Sequence, residues 1–284
     1  MSAPKHITPL VSYHGGHTVF DGEGELEAFV EAAIEQGFTA LGFSEHMPPP
    51  ARYQYPMSPD SVTAVGMFDR YVEEATKLQA AYRDDLPVLV GVETEYLPDE
   101  ETYLADFIDQ YPFDYVVGSV HFVGGIGFDY SREWYEQAAQ ACGGYERLAV
   151  EYYRMVRGLL AMNVTDVLGH LDLVKKYAPQ PIAGQVVEQA ERDTLEAALK
   201  AAVILEVNPR GLIKPCKQVY PRTGLLVEAR HLGIPATFGD DSHAPGEVGA
   251  RLEVAAEAMR DAGYTSVTVL LLDGHRIVRQ ELPL

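Results

Sequence analysis

The sequence has 284 residues, 47% of them hydrophobic and 23% charged, a composition that suits a globular protein with a sizeable buried core. Its formal net charge of −20 excludes binding of polymeric nucleic acid through clustered lysines and arginines, but it allows an anionic substrate where metal ions reverse the local field. Two widely separated cysteines, no signal-peptide pattern and no apolar run of the ~20 residues that a membrane span needs predict a soluble cytoplasmic protein.

Strand-like segments recur along the chain. In order they are residues 7–14, 38–46, 86–93, 114–121, 166–170, 203–208 and 235–241, with a weaker one at 266–272. Several are continuous runs rich in Val, Leu and Ile, which are typical of parallel strands buried on both faces.

Helical patterns lie between these strands. Apolar residues repeat at spacings of three and four over residues 26–34, before Gly37, and over 68–82, and longer helices are predicted at 145–162 and 186–202. This alternation predicts either a doubly wound sheet or a barrel, and seven or eight units over this length favour an α/β barrel. We expect one domain over residues 1–284, with residues 48–61 forming a long loop over one mouth of the barrel.

Histidines and acids are concentrated at the carboxyl ends of the predicted strands. Six of the nine histidines have this placement, and so do three acids: His14, His17, His46, His121, His170, His243, Glu93, Asp240 and Asp241. One such histidine alone is more often a hydrogen-bonded core or loop residue than a ligand, but a structural role does not predict the clustering. Because all strands of an α/β barrel end at the same mouth, we expect a site for Zn, Fe or Mn ions there.

The first two of these histidines are separated by Gly15 and Gly16 in the stretch SYHGGHT. On a regular strand, positions three apart face opposite sides. A bulge at the two glycines would allow His14 and His17 to face the mouth together, whereas a simple tight turn would leave His14 facing away. His6, His231 and His275 lack the strand-end placement, and we expect them to be surface or structural residues.

Seven motifs occur in the order HxxHT, FSEH, GVETEY, GSVH, GHLD, EVNPRG and GDDSH. From about Tyr13 to about Val248 this series resembles the polymerase and histidinol phosphatase (PHP) superfamily. The segments YPFDYVVGSVHF and GHLDLVKKY are most similar to the monofunctional histidinol-phosphate phosphatases. The resemblance implies a distorted seven-stranded (β/α) barrel of the TIM-like type with two or three divalent metal ions.

The resemblance also assigns the strand-end residues to three metal positions. The first would be held by His14, His17, Glu93 and Asp241. The second would be held by His46, His243 and a residue of the loop after His17. The third would be held by His121 and His170, with Glu93 as a bridge.

Two departures from the family pattern affect this assignment. The family begins with HxH, whereas this chain has HxxH, so the first ligand position could fall on Gly15 instead of His14. Where the family commonly has a histidine six residues beyond the second one, this chain has Glu23. Glu23 is either a carboxylate ligand or an acid near the first turn of the next helix, and Asp21 is another candidate ligand.

The implied reaction is the hydrolysis of L-histidinol phosphate to L-histidinol and phosphate, a step of histidine biosynthesis. We expect Asp241 or His243 to donate a proton to the leaving alkoxide. The cations near the mouth are Lys175, Lys176, Arg210 and Lys214. Each is either a phosphate ligand or an ordinary solvated charge, and Arg210 is preferred because its planar fork matches phosphate. Glu95 is a candidate partner for the amine of the substrate.

Three other functions remain open on the sequence alone. The same site could act on another small phosphate ester, such as a nucleotide or phosphotyrosine. A metal-binding accessory domain without turnover is a second alternative, and a barrel hydrolase of C–N bonds is a third. None of them involves a nucleic acid polymer or a membrane, and a homo-oligomer is compatible with each.

Overall fold

Short apolar segments of the chain form the strands of the structure, a computed structural model that describes residues 9–56, 58–274 and 276–284. The strands are β1 (Val11–Ser12), β2 (Ala40–Phe43), β3 (Val88–Glu95), β4 (Tyr115–Ser119), β5 (Phe122–Val123), β6 (Ile126–Gly127), β7 (Val167–Leu168), β8 (Ile204–Val207), β9 (Ala236–Phe238), β10 (Ser266–Asp273) and β11 (Arg276–Pro283). Every predicted strand has a counterpart here, although the predicted segment 7–14 begins outside the described residues. His6 and His275 also lie outside them.

Seven parallel strands form a nearly closed barrel, as predicted. Their spatial order is β1-β2-β3-β4-β7-β8-β9. The first and last strands approach each other, and the backbone N–H of Tyr13 donates to the carbonyl of Phe238 at 3.1 Å. The weaker predicted strand lies outside this sheet, because β10 pairs with β11 in an antiparallel hairpin. The hairpin is joined to β1 through the Tyr13 hydroxyl, which lies 2.8 Å from both the backbone N and O of Leu270.

Helices follow most barrel strands. They are α1 (Leu26–Gln36), α2 (Ser61–Tyr82), α3 (Glu101–Gln110), α4 (Arg132–Cys142), α5 (Tyr145–Met162), α6 (Gln185–Lys200), α7 (Thr223–Leu232) and α8 (Leu252–Asp261), with short 3-10 helices at Leu173–Lys175, Pro209–Leu212 and Pro245–Glu247. Gly37 ends α1 in the left-handed conformation, and the Asp60 carboxylate caps α2 by accepting from the N–H groups of Val62 and Thr63. None of the helices in the described ranges is both long and apolar enough to cross a bilayer.

A tyrosine fills the interior of the barrel below the mouth. The ring of Tyr115 occupies space that Gly42 and Gly91 leave free, since a Cβ at either glycine would collide with it. Its buried hydroxyl lies 2.9 Å from the carbonyl oxygens of both Tyr13 and Phe43. The barrel is therefore a packed core, and the strands deliver their functional side chains to its carboxyl-terminal mouth.

Candidate metal centre

The strand-end histidines and acids converge at the carboxyl-terminal mouth. His14 and His17 follow β1, His46 follows β2, Glu93 is in β3, His121 follows β4, His170 follows β7, and Asp241 and His243 follow β9. Within the described part of the chain, four groups of side chains at this mouth, one of which also includes Asp21 and Glu45, bring candidate ligand atoms within 4.8 Å of one another. The topology of the barrel thus unites residues that are more than 200 positions apart.

Glu93 is the centre of the first part of this cluster. Its Oε2 lies 3.2 Å from Nε2 of His14 and 2.7 Å from Nδ1 of His46. Its Oε1 lies 3.0 Å from Nε2 of His170 and 3.4 Å from Nε2 of His121. One almost fully buried carboxylate therefore faces four imidazoles that come from four different strand ends.

The second part of the cluster surrounds His17. Its ring centroid lies 4.3 Å from that of His46 and 4.5 Å from that of His243. Asp21 completes this part, with its Oδ1 3.4 Å from Nε2 of His46 and its Oδ2 3.2 Å from Nε2 of His243. Asp241 joins the two parts, because its Oδ1 lies 3.7 Å from Nε2 of His17.

The structure separates the two candidate acids of the loop after His17. Asp21 lies within a group of candidate ligands, whereas Glu23 is exposed and meets the site through its backbone N–H, which donates to the carbonyl of His243 at 2.8 Å. Spacing alone could not make this choice, because the loop has no regular structure that relates sequence position to direction. Asp21 is therefore the better-placed candidate ligand of the two.

Several buried ligand atoms of the cluster lack a hydrogen bond. They include Nε2 of His14, both ring nitrogens of His17 and Oε2 of Glu93. Such groups are rarely left unpaired in a protein interior, because they lose their bonds to water without replacement. Imidazoles and carboxylates at this density are the donors that Zn, Fe and Mn use. The side chains present therefore fit a metal centre.

Two histidines of the cluster have pKa values that are shifted in opposite directions. Burial acts to lower the pKa of His121, but Glu95 and Glu93 outweigh it and raise this pKa to about 9. Burial, followed by the neighbouring His46 and His243, lowers the pKa of His17 to about 4. Positive charge is thus favoured beside Glu93, and His17 is held neutral, which is the form that binds metals.

Three more buried glutamates face the outer nitrogens of the histidine rings. Nδ1 of His121 lies 2.7 Å from Oε2 of Glu95, and Nδ1 of His14 lies 2.8 Å from Oε1 of Glu206. Nδ1 of His17 lies 3.6 Å from Oε1 of Glu45. Sequence reasoning missed Glu45 and Glu206, although the signal used for Glu93, an acid in or beside a buried apolar strand, also marks them. The predicted substrate contact Glu95 faces the pocket, but both of its oxygens contact His121.

The four predicted phosphate-binding cations are not equivalent. Arg210, Lys176 and Lys214 line the pocket above the cluster. The Nε of Arg210 is buried without a hydrogen-bond acceptor, 3.9 Å from Oδ2 of Asp241. Lys175 is not among the described residues that line the pocket, and its Nζ donates instead to Asp172 Oδ2 at 2.7 Å and to the carbonyl of Val219 at 2.8 Å.

The pocket itself is a cavity of about 350 Å³. Residues 49, 54–56, 58 and 59 of the predicted loop 48–61 form part of its wall, before α2 begins at Ser61. Tyr55 of this loop lies against Phe122 and Tyr130. The Tyr55 hydroxyl donates to Oδ1 of Asp129 at 3.0 Å, and Lys176 approaches the other oxygen of Asp129 at 3.1 Å. The mouth thus combines the carboxylate–imidazole cluster with cations and aromatic rings, and Asp129 contacts one of each.

Known proteins resemble this chain over most of its length. The model of the PHP domain matches residues 12–210. A "Probable histidinol-phosphatase" of Deinococcus radiodurans is 32% identical over 257 residues, which cover 89% of this chain and 94% of that protein. The "Histidinol-phosphatase" of Bacillus subtilis is 29% identical over 260 residues, or 85% and 96% of the two chains. A histidinol phosphate phosphatase structure from Lactococcus lactis, with Zn, L-histidinol and phosphate, has a TM-score of 0.74 at 24% identity and covers 94% of this chain and 98% of its own.

Proposed function

Because the chain belongs to the PHP domain family, we propose that it is a metal-dependent phosphatase that hydrolyses L-histidinol phosphate to L-histidinol and phosphate. The observation that carries this proposal is the Glu93 carboxylate, which faces His14, His46, His121 and His170 at the mouth of the barrel. The names of the relatives from Deinococcus radiodurans and Bacillus subtilis support the same substrate. This assignment places the enzyme in histidine biosynthesis.

The ligand set suits two or three divalent ions of Zn, Fe or Mn. Glu93 would belong to two ligand sets. One would also contain His14, His17 and Asp241, and the other would also contain His121 and His170. His46, His243 and Asp21 form the remaining set. Such ions, when bound, activate water as a nucleophile and neutralise charge on phosphoryl oxygens.

The cations of the pocket would bind and orient the phosphate. The buried Nε of Arg210 has no hydrogen-bond acceptor, whereas Nη1 donates to Oε2 of Glu247 at 2.7 Å. The free Nε supports this role, because a guanidinium can donate two parallel hydrogen bonds to phosphate oxygens. Lys214 lines the same pocket, and its pKa is lowered by burial and then by Lys176. These groups would hold the phosphorus in line for attack, which supplies much of the catalysis in phosphoryl transfer.

Burial acts to lower the pKa of His243, but Asp21 and Asp241 outweigh it, and this histidine would donate the proton to the leaving alkoxide. Burial acts to raise the pKa of Asp241, but His14, His243 and Arg210 hold it well below its usual range, so this carboxylate would stay ionised beside the donor. His243 Nδ1 lies 2.8 Å from the backbone oxygen of Asp241, so the two residues are held as a unit. Asp241 has a left-handed backbone with φ 51°, a conformation that is uncommon outside glycine and that is found at functional sites. Both side chains line the pocket, where a donor must stand within reach of the departing oxygen.

The alcohol part of the substrate would lie along the aromatic part of the pocket wall. Tyr55, Phe122 and Tyr130 offer flat apolar surfaces for an imidazole ring. Asp129 and Glu95 also line this pocket, and they would accept from an ammonium group in addition to their contacts with Lys176 and His121.

The test is phosphate release by the metal-loaded protein from L-histidinol phosphate, beside a nucleoside monophosphate, phosphotyrosine and an amide substrate. We expect a clear preference in kcat/KM for L-histidinol phosphate. Equal activity on other esters would reject the substrate but keep a PHP phosphoesterase. Hydrolysis of the amide alone, or no turnover at all with metals bound, would reject the phosphatase itself.

A further inference from the structure

Glu206 is a buried acid in an otherwise apolar strand. It lies in β8, whose sequence is ILEV, and its side chain is 0% exposed. Within the described structure its hydrogen-bond donors are an imidazole, a backbone N–H and a side-chain amide, and none is a lysine or arginine. Burial of a carboxylate is unfavourable unless hydrogen bonds replace its water, so the position of this residue requires a reason.

The hydrogen bonds of Glu206 join two histidine-bearing segments of the metal centre. Its Oε1 accepts from Nδ1 of His14 at 2.8 Å and from the side-chain amide of Asn208 at 3.0 Å. Its Oε2 accepts from the backbone N–H of His170 at 2.5 Å. The carboxylate therefore connects the ends of β1 and β7 from its own strand, β8.

This arrangement determines which nitrogen of His14 faces the cluster. A carboxylate accepts, so the Nδ1 that contacts it donates, and the lone pair of Nε2 remains for a ligand. That Nε2 lies 3.2 Å from Oε2 of Glu93 and has no hydrogen bond. The geometry corresponds to the carboxylate–histidine–metal arrangement in which an outer carboxylate fixes the tautomer and orientation of a ligand ring.

We propose that Glu206 is a positioning residue, which holds the His14 ring with Nε2 directed at the metal position beside Glu93 and thereby sets the metal affinity there. The proposal rests on the metal centre of the proposed function, but not on the identity of the phosphate ester. The neighbouring backbone supports it, because a Cβ at Gly239 would collide with Oε1 of Glu206 and would lie 2.7 Å from Cβ of His14. Glycine at this position leaves the space that the carboxylate–imidazole pair occupies.

The test compares Glu206→Gln with a matched control, Glu191→Gln. Glu191 is also buried, and it contacts Arg222 and the hydroxyl of Tyr153 away from the mouth. The full chain is stripped with a chelator and titrated with Zn²⁺ against a competing chelator, and with Co²⁺ to record its visible absorption spectrum. Neither readout requires substrate. Circular dichroism and the melting temperature show whether each variant is folded.

For folded Glu206→Gln we expect at least one Zn²⁺ to bind about 10- to 100-fold more weakly, with an altered Co²⁺ spectrum, because an amide cannot accept from both His14 and the His170 backbone. Glu191→Gln should retain the affinities and spectrum of the unmodified protein. Unchanged affinity and spectrum in Glu206→Gln, or an equal loss in Glu191→Gln, would overturn the proposal.

A second variant decides the question if Glu206→Gln does not fold. Glu206→Asp keeps the charge but is one methylene shorter, so it cannot reach His14 and His170 together. We expect weakened Zn²⁺ binding in this variant as well. If folded Glu206→Asp binds Zn²⁺ with the affinity of the unmodified protein, Glu206 is not a positioning residue. If the unmodified protein binds Zn²⁺ but does not hydrolyse L-histidinol phosphate, the proposed substrate is wrong. The role of Glu206 is overturned only if its folded variants bind Zn²⁺ as tightly as the unmodified protein.

Discussion

The rings of His14 and His17 lie on the same side of the chain, with centroids 5.5 Å apart, although the two residues are three positions apart. Gly15 and Gly16 produce this geometry with φ values of 153° and 76°. Gly15 also pairs with Ser242, where the first and last strands of the barrel approach. The glycine pair thus replaces the regular alternation of a strand and directs both imidazoles into the cluster.

Substitution of Gly16 by alanine should weaken both folding and metal binding. The left-handed backbone disfavours a Cβ, and that atom would lie 2.5 Å from Cδ1 of Phe43. We expect a loss of about 2–5 kcal/mol in the free energy of unfolding, the sum of backbone strain and overpacking. Chemical denaturation measures this loss, and a Zn²⁺ titration of the folded protein measures the displacement of His17.

Gly37→Ala is the matched control for that variant. Gly37 has the same φ of 76°, but a Cβ there would meet no atom within 4 Å. It should lose only the strain contribution, about 1–2 kcal/mol, and bind Zn²⁺ normally. Equal effects of the two substitutions on the free energy of unfolding and on Zn²⁺ binding would show that the contact of Gly16 with Phe43 has no influence on either.

Replacement of His243 by alanine should abolish turnover while leaving the fold intact. Its ring lies 4.5 Å from that of His17, and its Nε2 lies 3.2 Å from Asp21, so the variant loses both a proposed ligand and a proposed proton donor. We expect kcat to fall about 100-fold or more, with little change in the melting temperature. His231→Ala, at the exposed end of α7, is the control and should retain activity. Full turnover in His243→Ala would show that the site assignment is wrong.

Arg210 should determine the affinity for the phosphate group. Arg210→Lys keeps a charge but loses the fork that donates two hydrogen bonds, and we expect KM to rise about 10- to 100-fold. Lys175→Met is the informative comparison, because Lys175 is bonded to Asp172 and Val219 outside the pocket lining. That variant should lose stability and keep its KM. Steady-state kinetics and thermal unfolding measure both variants. A raised KM in Lys175→Met, with an unchanged KM in Arg210→Lys, would show that Lys175 binds the phosphate and Arg210 does not.

Lys214 should give the pH profile an early alkaline limb. Burial and Lys176, with a further contribution from Arg210, lower its pKa, while Asp241 and Asp129 act in the opposite direction. Because the pKa is lowered, the positive charge is lost at a lower pH than the charge of an ordinary lysine. We therefore expect kcat/KM, which reports the free enzyme, to decline at alkaline pH as phosphate binding weakens.

Lys214→Arg tests this interpretation, since a guanidinium remains charged throughout the accessible range. Its alkaline limb should move to higher pH. Lys217→Arg, at an exposed lysine nearby, should leave the profile unchanged. If both variants retain the original limb, Lys214 is not the group that titrates.

The sequence predicted the barrel because its signals are local. Continuous apolar segments such as that of β3 give a parallel strand, and helix α5 occupies residues 145–162 as its apolar spacing predicts. The hairpin partner of β10 was not predicted, because the alternating, mostly exposed β11 buries little apolar surface.

The sequence also located the cluster, since a barrel brings every strand end to one mouth. It could not choose between Asp21 and Glu23, because loop direction depends on long-range contacts such as that of Asp21 with His46. Glu206 was missed although a buried acid in an apolar strand marks it, because its partner His14 is 192 residues away. The hydrogen bond from Lys175 to Asp172 could not be predicted either, because the side chains of adjacent lysines such as Lys175 and Lys176 can point in different directions.

The metal requirement is tested most directly by the kcat/KM for L-histidinol phosphate of chelator-treated protein before and after Zn²⁺, Mn²⁺ or Fe²⁺ is restored. We expect negligible hydrolysis by the metal-free protein and recovery in proportion to the bound metal, up to two or three ions per chain. Undiminished hydrolysis by protein shown to be metal-free would contradict this expectation, and so would metal-loaded protein that releases no phosphate from this substrate.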